Sequence, residues 1–193
     1  MSGRMKESLL LHACCAVCAG GVLAREFEFE GKKKRLTDFF DITLYFCNPN
    51  IDTQEEYDRR AVELEKLKPV FPIANVVVEE YRPEEFHQDI KGCENYGYES
   101  GLRCDLCISL RLLQTAQYAV KNRFDRFTTA LTVSPHKDAG RVTSCGERIG
   151  REVQIPFLTA DFKKEHGFLA ATKTAKKLEL YRQNYCGCVY GRK

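Results

Sequence analysis

Short apolar runs alternate with longer helical patterns along the chain. Runs of strand length, rich in apolar and β-branched residues, occupy residues 8–13, 41–47, 73–78 and 127–133. Helical spacing of apolar residues predicts helices over residues 16–29, 52–68, 84–90, 104–121 and a stretch after 138. This alternation predicts one α/β domain over residues 1–193, with a mainly parallel sheet flanked by helices and a helical C-terminal region.

Turn residues mark the points where three of the predicted strands end. Cys14 and Cys15 follow the first strand, the Asn-Pro-Asn turn at 48–50 follows the second, and residues 134–137 follow the fourth. Asp52 is the expected N-cap of the helix that comes next. Sites in parallel sheets gather at the carboxyl ends of the strands, and these three turns fall at such ends.

The net charge of +3 does not by itself indicate a nucleic-acid-binding protein. The two halves differ, however, because residues 1–99 hold 13 Lys and Arg against 19 Asp and Glu, whereas residues 100–193 hold 17 against 8. The second half, with a balance of +9, could therefore meet a polyanion. The basic run at 32–35 is interpreted as a solvated loop rather than a phosphate contact.

The chain contains ten cysteines. No apolar run is long enough to span a membrane or resembles a signal peptide, so we expect a cytoplasmic protein with no membrane partner. In a reducing compartment a disulfide framework is not expected, and a chain of 193 residues can fold without one. Metal ligation or thiol redox chemistry is the favoured interpretation.

Two groups of cysteines have the spacing of metal ligands. Cys14, Cys15 and Cys18 lie in a strand-to-helix turn, and Cys104 and Cys107 form a C-x-x-C pair at a helix start. A structural zinc site would need only four thiolates, and an adjacent cysteine pair is unusual there. The pattern therefore favours an iron-sulfur site over zinc, with zinc as the alternative.

Cys186 and Cys188 form a third group, separated by one glycine. A disulfide across one residue closes a small strained ring and is easily reduced, which suits reversible electron exchange. Two further metal ligands are the alternative. The isolated Cys47, Cys93 and Cys145 are interpreted as buried or incidental thiols.

Taken together, these motifs resemble the QueH-type epoxyqueuosine reductases. The resemblance rests on residues 9–18 (LLLHACCAVC), 48–51 (NPNI), 56–57 (EY), 101–107 (GLRCDLC), 111–112 (RL), 134–137 (SPHK), 161–164 (DFKK) and 181–188 (YRQNYCGC). The matches run in order over nearly the whole chain. Val17 stands where the family usually has proline, which alters no candidate ligand.

The resemblance implies the last step of queuosine synthesis, in which the epoxide oxygen of epoxyqueuosine at a tRNA wobble position is removed. It also implies a nucleotide α-hydrolase-like fold of the HUP or Rossmann-like kind, and a [4Fe-4S] cluster. By position, the cluster ligands carry over to Cys14, Cys15, Cys104 and Cys107, and the redox-active disulfide to Cys186 and Cys188. Cys18 and Asp105 are candidates for an additional iron. Neither cobalamin nor ATP is expected, and the electron donor is an unidentified partner.

Asp105, His136 and Lys137 are the candidate proton donors for this reaction. Each has a structural alternative, since Asp105 could cap its helix while His136 and Lys137 could shape a turn or contact phosphate. Two other functions remain open. A tRNA-thiolating enzyme would share the cluster but should carry a Gly-rich ATP loop, and a redox-sensing RNA-binding protein would bind RNA without converting it.

Overall fold

The computed structural model describes residues 6–96 and 101–191. The strands in these ranges are β1 (Glu7–His12), β2 (Glu26–Phe29), β3 (Lys32–Arg35), β4 (Phe40–Phe46), β5 (Asn75–Val78) and β6 (Arg126–Thr129). The helices are α1 (Ala16–Leu23), α2 (Leu36–Phe39), α3 (Gln54–Glu63), α4 (Pro83–Asp89), α5 (Leu102–Lys121), α6 (Ala139–Val153) and α7 (Gly167–Lys177). None of these helices combines the length and apolarity needed to cross a lipid bilayer.

Four strands form a parallel sheet in the order β5-β4-β1-β6. The chain first builds the sheet outward from β1 through β4 to β5, and then returns to add β6 on the other side of β1. Because the connection after β1 runs to one side of this strand and β6 is added on the other side, a crevice forms at the carboxyl ends of β1 and β6. The predicted α/β class with a mainly parallel sheet is therefore confirmed.

The sheet is buried on both faces, as the continuous apolar character of β1 predicts. Leu9 and Leu11 pack into one core cluster with α1 and α7, whereas Leu10 packs into a second with α5 and α6. Helices α1 and α7 approach closely at Gly21, where an added Cβ would lie 2.5 Å from the Cβ of Ala171. Only glycine permits this approach, so Gly21 lets α1 pack directly against α7.

The predicted helix over 16–29 is wrong beyond Leu23. Residues 26–29 instead form β2, which pairs with β3 in an antiparallel hairpin. The alternating Glu-Phe-Glu-Phe sequence suits a strand with one apolar face, and Glu30 and Gly31 supply the two positive φ angles, 50° and 70°, of a tight hairpin turn. The basic run 32–35 is exposed as predicted, but it is a strand rather than a loop.

Two other boundaries differ from the sequence prediction. Thr53, not Asp52, caps α3, because its hydroxyl accepts a hydrogen bond of 3.2 Å from the Glu56 amide. Strand β6 ends at Thr129 rather than 133, because the Thr129 hydroxyl accepts the Leu131 amide at 3.1 Å and starts a 3₁₀ turn.

The C-terminal region is only partly helical. It contains α7 and a short 3₁₀ turn (Val189–Gly191), and the segment between them, which carries Cys186 and Cys188, is irregular. The Gly- and Tyr-rich sequence of residues 92–101 predicts a loop, and part of that segment lies outside the described residues.

Candidate functional site

Three cysteine thiols meet where β1 ends and α1 begins. The Sγ atoms of Cys14, Cys15 and Cys18 all lie within 4.8 Å of one another. Cys15 is the N-cap of α1, and its Sγ accepts a hydrogen bond of 3.4 Å from the Cys18 amide. A helix N-terminus favours negative charge, so this turn can hold thiolates and a metal ion or cluster bound to them.

The hydrogen bonds within this three-thiol group decide which sulfur carries the charge. Hydrogen bonds from the thiols of Cys14 and Cys18 hold the pKa of Cys15 well below its usual range. The hydrogen bond that Cys14 makes to Cys15 raises the pKa of Cys14 to about 12, and similar bonds raise the pKa of Cys18. Cys15 is therefore the thiolate of the group, and it is the first sulfur prepared to bind a cation.

His12 supports this turn from inside the sheet. Its Nδ1 lies 2.9 Å from the Thr129 hydroxyl on β6, and its Nε2 lies 3.3 Å from the Cys47 carbonyl after β4. Because a carbonyl can only accept, Nε2 carries the proton and Nδ1 accepts from Thr129. Complete burial lowers the pKa of His12 to about 3, so the ring is a neutral link between neighbouring strands.

Cys104 and Cys107 lie in the first turns of α5, and both are buried. Cys107 packs with Phe86, Ile90 and Cys188, and neither Cys104 nor Cys107 joins the three-thiol group at Cys14. Burial is the main cause that raises the pKa of Cys107. The structure thus separates the five candidate ligands into a group of three and a pair.

Cys186 and Cys188 come between these two groups. Their Sγ atoms lie 3.8 Å apart, within hydrogen-bonding distance. This hydrogen bond lowers the pKa of Cys186 to about 5 and raises the pKa of Cys188. The pair therefore consists of one thiolate and one thiol at neutral pH, which is the reactive form for disulfide exchange.

The Asn-Pro-Asn turn and α3 hold the Cys186–Cys188 segment in place. The Cys186 carbonyl accepts from Asn50 Nδ2 at 3.4 Å and from Arg60 Nη1 at 3.2 Å. Gly187 has φ +112°, a conformation that is strained for residues with a side chain. Its carbonyl accepts a hydrogen bond of 2.9 Å from the Asp52 amide. The turn at 48–50 therefore contacts the Cys186–Cys188 segment through Asn50.

A cavity of about 670 Å³ opens at the crevice between β1 and β6. This volume is in the range of small-molecule sites. Its lining includes Cys14, Cys15, Cys18, Cys186, His136, Lys137 and Phe168. A smaller gap behind it is lined by Cys104, Cys107 and Cys188. We call these the outer cavity and the inner gap.

The candidate proton donors are distributed unequally around these cavities. Lys137 is 9% exposed and lines both, and the exposed His136 lines the outer cavity. Asp105 lines neither, and its carboxylate is paired with Arg141 at 3.1 Å. Asp105 lies on the side of α5 that faces α6, so it would have to leave Arg141 to act at the thiols.

Comparison with known proteins identifies the family to which this chain belongs. The sequence model of the epoxyqueuosine reductase QueH family matches residues 9–193. The chain belongs to the QueH family. The protein named epoxyqueuosine reductase QueH from Streptococcus pyogenes serotype M1 is 37% identical over 194 aligned positions, which cover 98% of this chain and 72% of that protein.

Two further relatives carry the same printed name. The Staphylococcus epidermidis protein is 34% identical, with 96% of this chain and 76% of the relative covered. The Thermotoga maritima protein is 32% identical, with 95% and 89% covered. The QueH match includes all three cysteine groups, because each lies between residues 9 and 193.

The sequence analysis did not identify three buried arginines that border these cavities. Arg60, Arg103 and Arg111 are 2%, 3% and 4% exposed, and each borders at least one of the cavities. Arg103 is next to Cys104 and Arg111 lies four residues after Cys107, so both arginines fall on the face of α5 that carries these cysteines. This spacing could have predicted that the two arginines point inward. A charged residue on a buried face usually meets a partner of opposite charge.

The isolated cysteines lie outside these groups. Cys47 is buried and donates to Gln114 at 3.1 Å, and burial raises its pKa to about 12. Burial likewise raises the pKa of Cys145. Both are thiols at neutral pH.

Proposed function

We propose that this chain reduces epoxyqueuosine to queuosine at the wobble position of tRNA, the last step of queuosine synthesis. The supporting observation is that a QueH match over residues 9–193 coincides with three cysteine groups around one crevice. An enzyme of this class would work in the cytoplasm, where tRNA is modified.

The reaction requires two electrons and two protons. Both C–O bonds of the epoxide break, an alkene forms between the two carbons, and the oxygen leaves as water. Oxidation of the Cys186 thiolate and the Cys188 thiol to a disulfide releases two electrons and one proton, so this pair supplies the electrons of one turnover and a separate proton donor supplies the second proton. An external electron donor must then reduce the disulfide before the next substrate.

The cofactor we propose is a [4Fe-4S] cluster on Cys14, Cys15, Cys104 and Cys107, with zinc as the alternative occupant. Cys14 and Cys15 fit such a group, because they lie with Cys18 within 4.8 Å of one another at a helix N-terminus, and the buried Cys104 and Cys107 line the adjoining inner gap. When bound, the cluster would pass single electrons, and an iron with an open position could polarise the epoxide oxygen. Cys18 lies within 4.8 Å of Cys14 and Cys15, although it is not one of the four ligands carried over from the family. In this proposal Cys18 either replaces one of those ligands or holds an additional iron.

Asp105 is the other residue proposed for that additional iron. Its pairing with Arg141 makes Cys18 the stronger candidate. The same pairing leaves Lys137 and His136 as the preferred proton donors. Of the three candidates, all of which lie in the described part of the chain, only Lys137 lines both cavities. Its Nζ can therefore serve as a proton donor to the substrate and to the dithiol alike.

The RNA partner is proposed from chemistry and charge. The second half of the chain has 17 basic against 8 acidic residues, which favours a phosphate backbone. Anticodon bases are already single-stranded, so one can be turned into a cavity at low cost. The outer cavity has room for a modified base of this size.

Mass spectrometry of nucleosides tests the proposal directly. Anaerobically purified chain is incubated with a reductant and tRNA that contains epoxyqueuosine, and the tRNA is digested. We expect epoxyqueuosine to decrease by the amount that queuosine increases. tRNA with unmodified guanosine at the wobble position is the control and should not change.

The same digest separates the alternative functions. A thiolating enzyme would produce a sulfur-containing nucleoside in an ATP-dependent manner. A redox-sensing RNA-binding protein would bind the tRNA and leave epoxyqueuosine intact, and that result would remove the reductase assignment.

A further inference from the structure

Strand β3 carries four consecutive cations at an exposed sheet edge. All of its residues, Lys32–Arg35, are exposed, and within the described residues β3 pairs with β2 alone. The run is a local exception, because residues 1–99 hold 13 Lys and Arg against 19 Asp and Glu. A strand with this concentration of one charge suits a polyanionic partner.

The two faces of this hairpin differ in charge. The antiparallel register places each residue of β2 opposite a cation of β3: Glu26 opposite Arg35, Phe27 opposite Lys34, Glu28 opposite Lys33 and Phe29 opposite Lys32. Because directly opposite residues point to the same face, Lys32 and Lys34 share their face with phenylalanines and not with glutamates. Among the described residues, the only ion pair that involves β2 or β3 joins Lys33 to Glu165. No described carboxylate therefore neutralises Lys32 or Lys34 at contact distance.

Aromatic packing holds the hairpin against the core. The ring centroid of Phe27 lies 5.6 Å from that of Phe39 and 6.2 Å from that of Phe162. The ring centroid of Phe29 lies 5.1 Å from that of Phe40. The lysines of β3 are thus carried by a fixed backbone. A ligand that binds them does not have to order the strand first, which lowers the entropic cost of association.

A chain of contacts joins the hairpin to the outer cavity. Lys33 Nζ lies 3.0 Å from Glu165 Oε2. Two residues before Glu165, Lys163 Nζ donates to the carbonyl of Lys137 at 2.7 Å, and Lys137 lines the outer cavity. Three residues after Glu165, Phe168 lines the same cavity, and three residues of chain span at most about 11 Å. The basic strand therefore adjoins the mouth of the cavity.

We propose that Lys32 and Lys34 bind phosphates in the stem of the tRNA anticodon stem-loop while the wobble base occupies the outer cavity. The inference deepens the proposed function, since the position of the base in the cavity rests on it. A stem-loop is larger than a cavity of about 670 Å³, so its stem must run over the surface beside the cavity. Phosphates along that stem complement exposed lysines on a fixed strand.

This assignment reverses the sequence-based interpretation of residues 32–35. A basic run between predicted elements is usually a solvated segment, and the sequence alone does not place this run beside a cavity. The contact through Glu165 supplies that placement. The hairpin also lies in the acidic half of the chain, so the phosphate contacts proposed from the basic second half do not include it.

Protection of a sheet edge is the alternative role of these lysines. Exposed lysines keep an edge strand from pairing with a second chain. That role needs charge alone, and it requires neither a position beside the cavity nor any effect on RNA affinity. The two roles therefore differ in a quantity that can be measured.

The test is the affinity of the anaerobically prepared holoenzyme for a fluorescent anticodon stem-loop, measured by anisotropy at several salt concentrations. The double variant Lys32→Gln/Lys34→Gln removes two exposed charges and keeps polar side chains. We expect its dissociation constant to rise about tenfold at low salt, because two phosphate contacts are lost. The slope of log affinity against log salt should become shallower by about 1–2.

Two controls locate the contact. Lys176→Gln/Lys177→Gln removes the same charge from exposed positions in the last turn of α7, at the far end of that helix from Phe168. Because screening weakens charges distant from the RNA, this variant should change the affinity less than about twofold. The isolated anticodon loop without its stem is the second probe. Since the proposed contact is to the stem, Lys32→Gln/Lys34→Gln should bind the isolated loop as well as the wild type does.

Three results would overturn the inference. The first is an unchanged affinity of Lys32→Gln/Lys34→Gln for the stem-loop. The second is an equal loss in both double variants, which would indicate general attraction to a polyanion. The third is an equal loss for the stem-loop and the isolated loop. If the first result comes with lost binding to phosphatidylserine vesicles, the strand serves an anionic membrane, and if it comes with aggregation, the strand protects its edge.

Failure of this inference is distinguishable from failure of the proposed function, because affinity is measured without turnover. A wild type that converts epoxyqueuosine, together with unchanged binding by Lys32→Gln/Lys34→Gln, removes the inference alone. A wild type that binds the stem-loop and leaves epoxyqueuosine intact removes the reductase assignment, and the variants still decide whether these lysines contact RNA. A wild type that does not bind the stem-loop removes both.

Discussion

Arg60 donates a hydrogen bond of 3.2 Å from Nη1 to the carbonyl oxygen of Cys186. The arginine is 2% exposed and is held by Glu56, whose Oε1 lies 2.7 Å from Nε. Tyr181 donates its hydroxyl to the same carboxylate at 3.1 Å. Glu56 therefore fixes, through Arg60, the backbone that carries Cys186 and Cys188.

Glu56→Gln should loosen this support. The amide keeps one acceptor but loses the charge opposite Arg60, so we expect the free energy of unfolding to fall by about 1–3 kcal/mol. Denaturant titration measures the change. Glu55→Gln, on the exposed side of α3, is the matched control and should be nearly silent. Equal stability of the two variants would show that the Arg60 ion pair contributes nothing here.

Serine at Cys186 or Cys188 should separate electron delivery from binding. A lone thiol cannot form the intramolecular disulfide, so multiple-turnover reduction should fall by at least tenfold while iron, sulfide and tRNA affinity persist. Thiol trapping on the wild type, before and after one turnover without added reductant, gives the direct measurement. If the pair remains fully reduced while epoxyqueuosine is converted, its proposed role is wrong.

Metal content should depend on the three-thiol group. Cys15 is the thiolate of that group, so Cys15→Ser should lower iron and sulfide after anaerobic reconstitution by half or more. Cys93→Ser, which alters a cysteine outside the three groups, is the control and should leave both unchanged. Stoichiometric zinc without iron or sulfide in the wild type would replace the iron-sulfur proposal with the zinc alternative.

The three-thiol group at Cys14 and the pair at Cys104 and Cys107 illustrate what the sequence could predict. Cys14 and Cys15 follow a short apolar run, which predicts a strand and a turn at its carboxyl end, and the sheet order places that turn in the crevice. Spacing cannot predict that Cys18 lies closer to Cys14 and Cys15 than Cys104 does, because that depends on how α5 packs against β1. The sequence prediction misses the hairpin at 26–35 because its strands are short, residues 26–29 also fit the end of a helix, and the basic run 32–35 also fits a solvated loop.

Asp125 gives a pH-dependent prediction away from the thiols. Its Oδ2 accepts two hydrogen bonds of 2.7 Å, from the amide and the hydroxyl of Ser8 on β1, and these lower its pKa. A carboxylate with a lowered folded-state pKa stabilises the fold above its unfolded pKa of about 3.9 and loses that effect as the pH falls further.

Asp125→Asn should therefore destabilise the protein at neutral pH and approach the wild type at low pH. Because Asp125 is exposed, we expect a difference of under about 1 kcal/mol. Urea unfolding at several pH values measures it, with the exposed Asp58→Asn as the control. A difference that is the same at every pH would exclude the titration of Asp125 as its cause.

Phe168 should contribute to tRNA binding by stacking. It lines the outer cavity from the first turn of α7, yet 45% of it is exposed to solvent. An aromatic ring at the mouth of a cavity that receives a nucleobase offers a stacking surface, worth about 1–3 kcal/mol per base. Phe168→Ala should therefore weaken binding of the anticodon stem-loop about tenfold in fluorescence anisotropy, and Phe168→Tyr should restore most of that affinity.

Leu169 provides the matched control for that experiment. It is 50% exposed, next to Phe168 in the chain, and outside the cavity lining. Leu169→Ala removes a similar apolar area without removing a ring, so it should change the affinity less than threefold. Because stacking does not depend on counterion release, Phe168→Ala should lower the affinity while leaving its salt dependence unchanged. If Leu169→Ala weakens binding as much as Phe168→Ala does, the contribution is general apolar contact and not stacking at the cavity mouth.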